Sequence, residues 1–300
     1  MNRKDPSDDP VPAVAQGIEI DPALQERAID LVLNGGLGKV ELEIATSYVA
    51  PLWWVMRNSE GKELVKSGSV FFLDTGEATF AVTAAHVVIE CFRDTKSPMF
   101  VQSMIGANGR VSLGIHLGDR IIDGNARIDI ATFRVNPKEI EYVGRTPLRG
   151  YSKQWPPSLV GADAPLTYCG FPGVGRRWLK PRTISHGMVP MAGFATSVSE
   201  TCISVQIERD KLVRLLGTEE MPENFDFGGM SGGPALAIVQ RPDLLRAWRP
   251  AGVIFQGPNP TGNIEESIDG LEIIRIRPIH FIKADGTLDL ERWAQCNPLG

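Results

Sequence analysis

Apolar and polar positions alternate over short distances along most of this chain. Ser69-Val70-Phe71-Phe72-Leu73, then Asp74-Thr75-Gly76-Glu77, then Ala78-Thr79-Phe80-Ala81-Val82 reads as strand, turn and strand, a hairpin. Runs of the same texture recur at 110–117, 126–135, 166–169, 201–207, 235–239, 251–255 and 272–276, and the β texture begins near Val40. Helical periodicity shows in two places. After Asp21, Pro22 stands in a first turn, Leu24, Ala28, Leu31 and Val32 repeat at helical spacing, and Asn34-Gly35-Gly36 stops the run. The second is at 288–296. Many short strands and few helices predict an all-β protein built of closed barrels, because closure removes exposed strand edges.

Turn and breaker residues divide that pattern. Residues 1–20 are rich in Asp and Pro, have little to bury, and are expected to be disordered. A helical extension follows at 21–46, which would brace the core or serve as an oligomer contact. The adjacent Pro156 and Pro157 cannot sit in a central strand, so 150–165 reads as a linker between a first barrel at 47–149 and a second at 166–283, with a C-terminal helix at 284–300.

Composition narrows the function classes. A net charge of −5 disfavours nucleic-acid binding, which needs a basic surface to neutralise phosphates. No run of about 18 apolar residues exists to span a bilayer, and the first ten residues lead into no apolar leader core, so the expected location is cytoplasmic, with no membrane partner. Cys91, Cys169, Cys202 and Cys296 are scattered, without the paired spacing of zinc or redox sites; they read as small buried hydrophobes, and activity needs neither metal nor other cofactor.

The chemistry concentrates in Gly228-Gly229-Met230-Ser231-Gly232-Gly233-Pro234. Glycines on both sides of a serine let a tight turn present its hydroxyl with little steric cover. A serine hydroxyl at neutral pH is a weak nucleophile, so it needs a base and a group that orients the base. Thr83-Ala84-Ala85-His86 closes an apolar run and supplies the first; Asp129-Ile130-Ala131 supplies the second. Asp119, Asp123 and Asp163 compete with Asp129, which is preferred because its flank of Ile128, Ile130 and Ala131 suits a carboxylate on a strand facing a domain interface, whereas Asp119 and Asp123 bracket turn-like residues.

Thr-Ala-Ala-His, Asp-Ile-Ala and Gly-x-Ser-Gly-Gly-Pro, in this order, resemble the chymotrypsin/trypsin-like serine peptidase family, above all its disulfide-poor bacterial members, over roughly residues 47 to 282. The resemblance implies two packed, six-stranded antiparallel β-barrels, with His86 and Asp129 on the first and Ser231 on the second. It implies a serine endopeptidase acting on polypeptide through an acyl-enzyme, with Ser231 as nucleophile, His86 as general base and Asp129 as its orienter. The N–H groups of Gly229 and Ser231 match the oxyanion hole. By the family's layout Phe225, Asp226, Phe255, Gln256 and Gly257 border the specificity pocket; Asp226 there favours Lys or Arg before the scissile bond, while Phe225 at the pocket base favours small side chains, and both stand open. Zymogen-activated relatives carry aspartate at the position of Met230, so activation by a new N-terminal amine is not implied. A regulatory or activating protein partner is expected for a protease in the cytoplasm. Ester hydrolysis by the same triad, or a silent homologue serving as an interaction module, are the rival readings.

Overall fold

The computed structural model of the chain describes residues 22–107, 111–150, 154–180, 183–213, 215, 225–240, 246–258 and 272–297. The expected disorder of 1–20 lies outside them. Helices α1 (Pro22–Leu33) and α2 (Leu37–Thr46) lead into a first sheet made of β1 (Val49–Arg57), β2 (Glu63–Asp74), β3 (Thr79–Thr83), β4 (Phe100–Ala107), β5 (Val111–Gly114), β6 (Ile121–Asn125), β7 (Ile130–Arg134) and β8 (Leu148–Arg149). Helix α3 (Ala85–Thr95) follows β3, and α4 (Pro137–Tyr142) follows β7. This eight-stranded sheet runs β5-β4-β1-β2-β3-β7-β6, antiparallel except for β8, which lies parallel on β2.

The second half of the chain forms β9 (Pro165–Gly170), β10 (Arg176–Lys180), β11 (Thr183–His186), β12 (Val189–Phe194), β13 (Ser197–Val198), β14 (Ile203–Ile207), β15 (Pro234–Gln240), β16 (Arg246–Gln256) and β17 (Glu272–Pro278), and ends in α5 (Leu290–Cys296). Seven of these strands make an antiparallel sheet in the order β12-β9-β15-β16-β17-β14-β13, and β10–β11 stands apart as a hairpin. The protein is thus mostly antiparallel β, as the alternation predicts. The expected six strands per barrel are replaced by eight and seven, and among the described residues the ladders run as open paths rather than closed rings.

Strand β2 shows why its apolar run is unbroken. Val70 and Phe72 point into the first sheet's own core, whereas Phe71 and Leu73 point into a cluster shared by the two sheets, so both faces are buried. That shared cluster joins Phe80, Val82, Ile128 and Ile130 of the first sheet to Cys169, Phe171, Leu236, Val253 and Phe281 of the second. Each fully buried side chain of this size contributes roughly 1.5–3 kcal/mol of transfer free energy. The interface between the sheets is therefore as dry as the interior of either, and it positions the site at its edge.

Three helices depart from the sequence expectation. Val40, Leu42 and Ile44 alternate with Glu41 and Glu43 as in a strand, yet they lie in α2. Gly36, at φ +82°, turns the chain so that a second helix follows the first, and Glu41 of that helix pairs with Arg246 of β16. Packing against β9, β12 and β15 makes α2 a brace for the second sheet. Helix α3 begins directly after the Thr-Ala dipeptide of the histidine motif. Helix α4 carries a capping box, Asn136 with Glu139, and Pro137 in its first turn, a start signal legible in the sequence.

Beside the shared cluster His186 is buried between Trp53, at 5.6 Å between ring centroids, and Phe171, at 6.4 Å. Burial, aided by the charge of Arg176, pushes its pKa down to about 4. The folded chain therefore keeps this imidazole neutral while the unfolded chain protonates it near pH 6.5. Stability from this residue is complete above that value and declines as pH falls from about 6.5 to about 4, by on the order of 3 kcal/mol. His186→Phe is expected to flatten this part of the stability profile in urea unfolding between pH 7 and pH 4.5. An unchanged acid slope in the variant would refute the assignment.

Candidate active site

His86 is the second residue of α3, so its backbone N–H belongs to the first turn, which has no carbonyl of its own helix to bond. Asp129 fills that role. Its Oδ1 accepts from His86 N at 2.9 Å, and its Oδ2 lies 2.8 Å from His86 Nδ1. One carboxylate thereby holds both the backbone and the ring of the same histidine, and the positive end of the helix dipole favours its charge. With Nδ1–H donating to the carboxylate, the lone pair of the ring is left on Nε2. The ring is nearly half exposed, and the carboxylate is largely covered.

Asp129 is not on a strand, as its apolar flank suggests, but in the tight turn just before β7, at φ +58°. Aspartate tolerates this left-handed conformation better than most residues. The turn is set by Asn125, whose carbonyl accepts from Asp129 N at 2.8 Å and whose side chain accepts from Arg127 and Ile128 N. None of the three competing aspartates bonds the histidine: Asp119 is exposed in the turn before β6. Asp123 lies in β6 and accepts from Leu288 N at 2.9 Å, and Asp163 occupies another left-handed turn, its N–H bonded to Ala195 O.

Ser231 sits in the turn that feeds β15. The turn is stitched to the first sheet by Ser69, a fully buried residue of β2. Ser69 N donates to Ser231 O at 2.8 Å, its Oγ donates to Gly229 O at 2.9 Å and accepts from Phe171 N at 2.9 Å, and its carbonyl accepts from Thr83 Oγ1 at 2.7 Å. Two of these bonds couple the histidine-bearing sheet to the serine turn, the one from Phe171 ties it to the chain after β9, and the one from Thr83 braces Ser69 within its own sheet. Gly232, at φ +89°, approaches so closely that a Cβ there would lie 2.0 Å from Ser69 O. Gly68 sits where the two motifs meet, since a Cβ on it would be 2.7 Å from both Val87 methyls and 3.2 Å from Ser231 O.

Gly229 takes φ +100°, and the carbonyl before it, of Gly228, accepts from Gly173 N at 2.6 Å. Across a planar peptide the N–H of Gly229 therefore points away from Gly173. Among the described residues neither this N–H nor that of Ser231 has a protein acceptor. The Ser231 hydroxyl faces the carbonyl of Phe255 at 3.5 Å, a long contact, and makes no hydrogen bond to His86. Met230 is buried in the second sheet's apolar cluster beside Gly170.

The residues assigned to the pocket fall in two stretches that touch where Gly257 meets Phe227, a Cβ there being 3.1 Å from the Phe227 Cβ. Phe225 packs edge-on against Phe227, at 5.0 Å between centroids, and its carbonyl accepts from Arg209, which also holds Glu272 in a bidentate pair. Asp226 stands at the surface, and its carboxylate accepts from Gly228 N at 2.7 Å. It is therefore not a lone buried charge. Gln256 is exposed and accepts from Arg275. Sequence reasoning missed Ser69, which only opens an apolar run after Ser67 and Gly68, and it missed Thr83 although that residue opens the histidine motif.

No protein-family model matches the chain, and no curated protein matches it in sequence. In three dimensions it is similar to the Rv3671c protease from M. tuberculosis in its active form, at 13% identity over 82% of this chain and 83% of that one, with a TM-score of 0.40. It is also similar to the serine protease domain of the Sesbania Mosaic Virus polyprotein, at 14% identity over 77% of this chain and 88% of that one, with a TM-score of 0.37.

Proposed function

We propose that this chain is a serine endopeptidase. The observation that carries the reading is the two-point hold of Asp129 on His86, which leaves Nε2 as the free base, at the edge of the sheet interface where Ser69 anchors the Ser231 turn. In this reading the Ser231 hydroxyl exchanges the long contact to the Phe255 carbonyl for a bond to Nε2 once substrate is bound. Ser231 Oγ then attacks the scissile carbonyl carbon while its proton passes to Nε2. The tetrahedral oxyanion is met by the Gly229 and Ser231 N–H groups, a stabilisation worth roughly 3–4 kcal/mol per donor. Collapse breaks the C–N bond, Nε2 returns the proton to the leaving amine, and water, deprotonated by His86, cleaves the resulting ester and frees Ser231.

Asp226, exposed and already bonded to Gly228 N, offers little to a substrate cation, whereas the half-buried Phe225, packed edge-on against the buried Phe227, presents apolar surface. A preference for small or aliphatic residues before the scissile bond is the expected result of peptide-library cleavage, and strong enrichment of Lys or Arg would return the role to Asp226. The same experiment separates peptidase from esterase, since an esterase is acylated by a fluorophosphonate yet cleaves no peptide. An interaction module would show neither reaction. The four free cysteines support a reducing, cytoplasmic location, and a regulatory partner belongs to the same proposal.

A further inference from the structure

We propose that Arg277, on β17, is a positioning residue for the His86–Asp129 pair: from the far side of the interface it holds the peptide on which Asp129 stands and places a positive charge beside it. This rests on the reading of Asp129 as the orienter of a catalytic base. Arg277 is 7% exposed, an unusual place for a guanidinium. Its Nε donates to the carbonyl of Ile128 at 2.5 Å, and that carbonyl belongs to the Ile128–Asp129 peptide. Nη1 donates to Thr201 O. The guanidinium plane is enclosed by two aromatic rings, Phe255 at 4.3 Å and Trp293 of α5 at 4.7 Å.

Burying a cation is costly unless it is paired. Burial pushes the Arg277 pKa down from its usual value, and the nearby Cys202 and Asp129 oppose that shift. Ile274 and Ile276, on the opposite face of β17, are fully buried in the second sheet's own core, so Arg277 points out of that core. Two carbonyls and two rings met by one side chain suit a planar, delocalised cation, which arginine supplies and lysine does not. The geometry also reaches the other half of the site, because Phe255, whose ring covers Arg277, carries the carbonyl that faces Ser231 Oγ at 3.5 Å.

Asp129 sits in a left-handed turn, a conformation that persists only where the surroundings over-determine it. Asn125 secures the turn from within the first sheet, and Arg277 secures it from the second. The docking of the second sheet thereby aligns the base as well as delivering the nucleophile.

The test compares Arg277→Met, which keeps length but loses donors and charge, with Arg277→Lys, which keeps the charge but cannot bond both carbonyls. Two readouts apply: the rate of acylation by a small fluorophosphonate together with kcat and KM on a cleaved peptide, and the far-downfield proton NMR resonance of His86 Nδ1–H. In Arg277→Met, acylation and kcat are expected to fall by about 10- to 100-fold with KM little changed, as for a small misplacement of a reacting group, and the resonance is expected to shift or vanish. Arg277→Lys is expected to lie between, with the resonance retained but shifted, and it decides the matter if the methionine variant does not fold. Unaltered acylation and an unshifted resonance in the folded variant, with only the melting temperature lowered, would mean a purely structural role. If the unaltered protein is not acylated at all, the hydrolase reading fails by itself, and the resonance still decides whether Arg277 positions the pair.

Discussion

Ser231→Ala is expected to abolish both acylation by a fluorophosphonate and peptide cleavage, by a factor on the order of a million in turnover, as when the nucleophile of a triad is removed. The fold should be untouched. The hydroxyl makes only a 3.5 Å contact with the Phe255 carbonyl, and the bonds that anchor the turn run through the backbone carbonyls of Ser231 and Gly229 to Ser69. Melting temperature and circular dichroism therefore serve as controls that should not move. Labelling that survives the substitution undiminished would place the reactive group elsewhere and end the assignment.

Asp129→Asn is expected to reduce turnover by roughly ten-thousand-fold, through the tautomer of His86. The carboxylate accepts two hydrogen bonds from His86, one from the backbone N and one from Nδ1–H. An amide has one oxygen for those two donors. Its NH2 must face either a backbone N–H or the ring; facing the ring, it requires an unprotonated Nδ1 and so moves the proton to Nε2, where it blocks the base. The turn itself should tolerate the change, since asparagine accepts a left-handed φ as readily as aspartate. Asp123→Asn is the control, because that side chain bonds Leu288 N and not His86. A loss of comparable size in the control, with Asp129→Asn active, would reverse the choice between the two.

The three motif residues were legible because their signals are local. A serine between glycines, a histidine after Thr-Ala-Ala and an aspartate before Ile-Ala each announce themselves within a few positions. The preference for Asp129 rested on the wrong local reason, however. Its apolar flank suggested a strand, whereas the residue occupies the left-handed turn before the strand, and its nearness to His86 comes from the pairing of β3 with β7. Helix α3 was hidden for a related reason: Val87, Val88 and Cys91 continue the apolar texture of β3, and only the free N–H groups of a first turn, one of them on Asp129, mark where strand becomes helix. In α2 the alternating Val40, Leu42 and Ile44 have a strand's period, and packing on the second sheet overrode it.

By itself the amino-acid sequence determined the β-rich character of this protein and the glycines without which the Ser231 turn could not approach Ser69 O, and it singled out the serine, histidine and aspartate proposed here as the site. These follow from short apolar runs broken by turn residues and from backbone sterics, both properties of neighbouring residues. The tertiary structure alone decided which polar groups meet across the sheet interface. Ser69 reaches Gly229 over 160 positions, and Arg277 reaches Ile128 over 149. A buried serine at the start of an apolar run and a buried arginine on a strand carry no local sign of their partners. What places them is the docking of two apolar sheet faces, and a buried polar group is tolerated there only where docking brings it a partner.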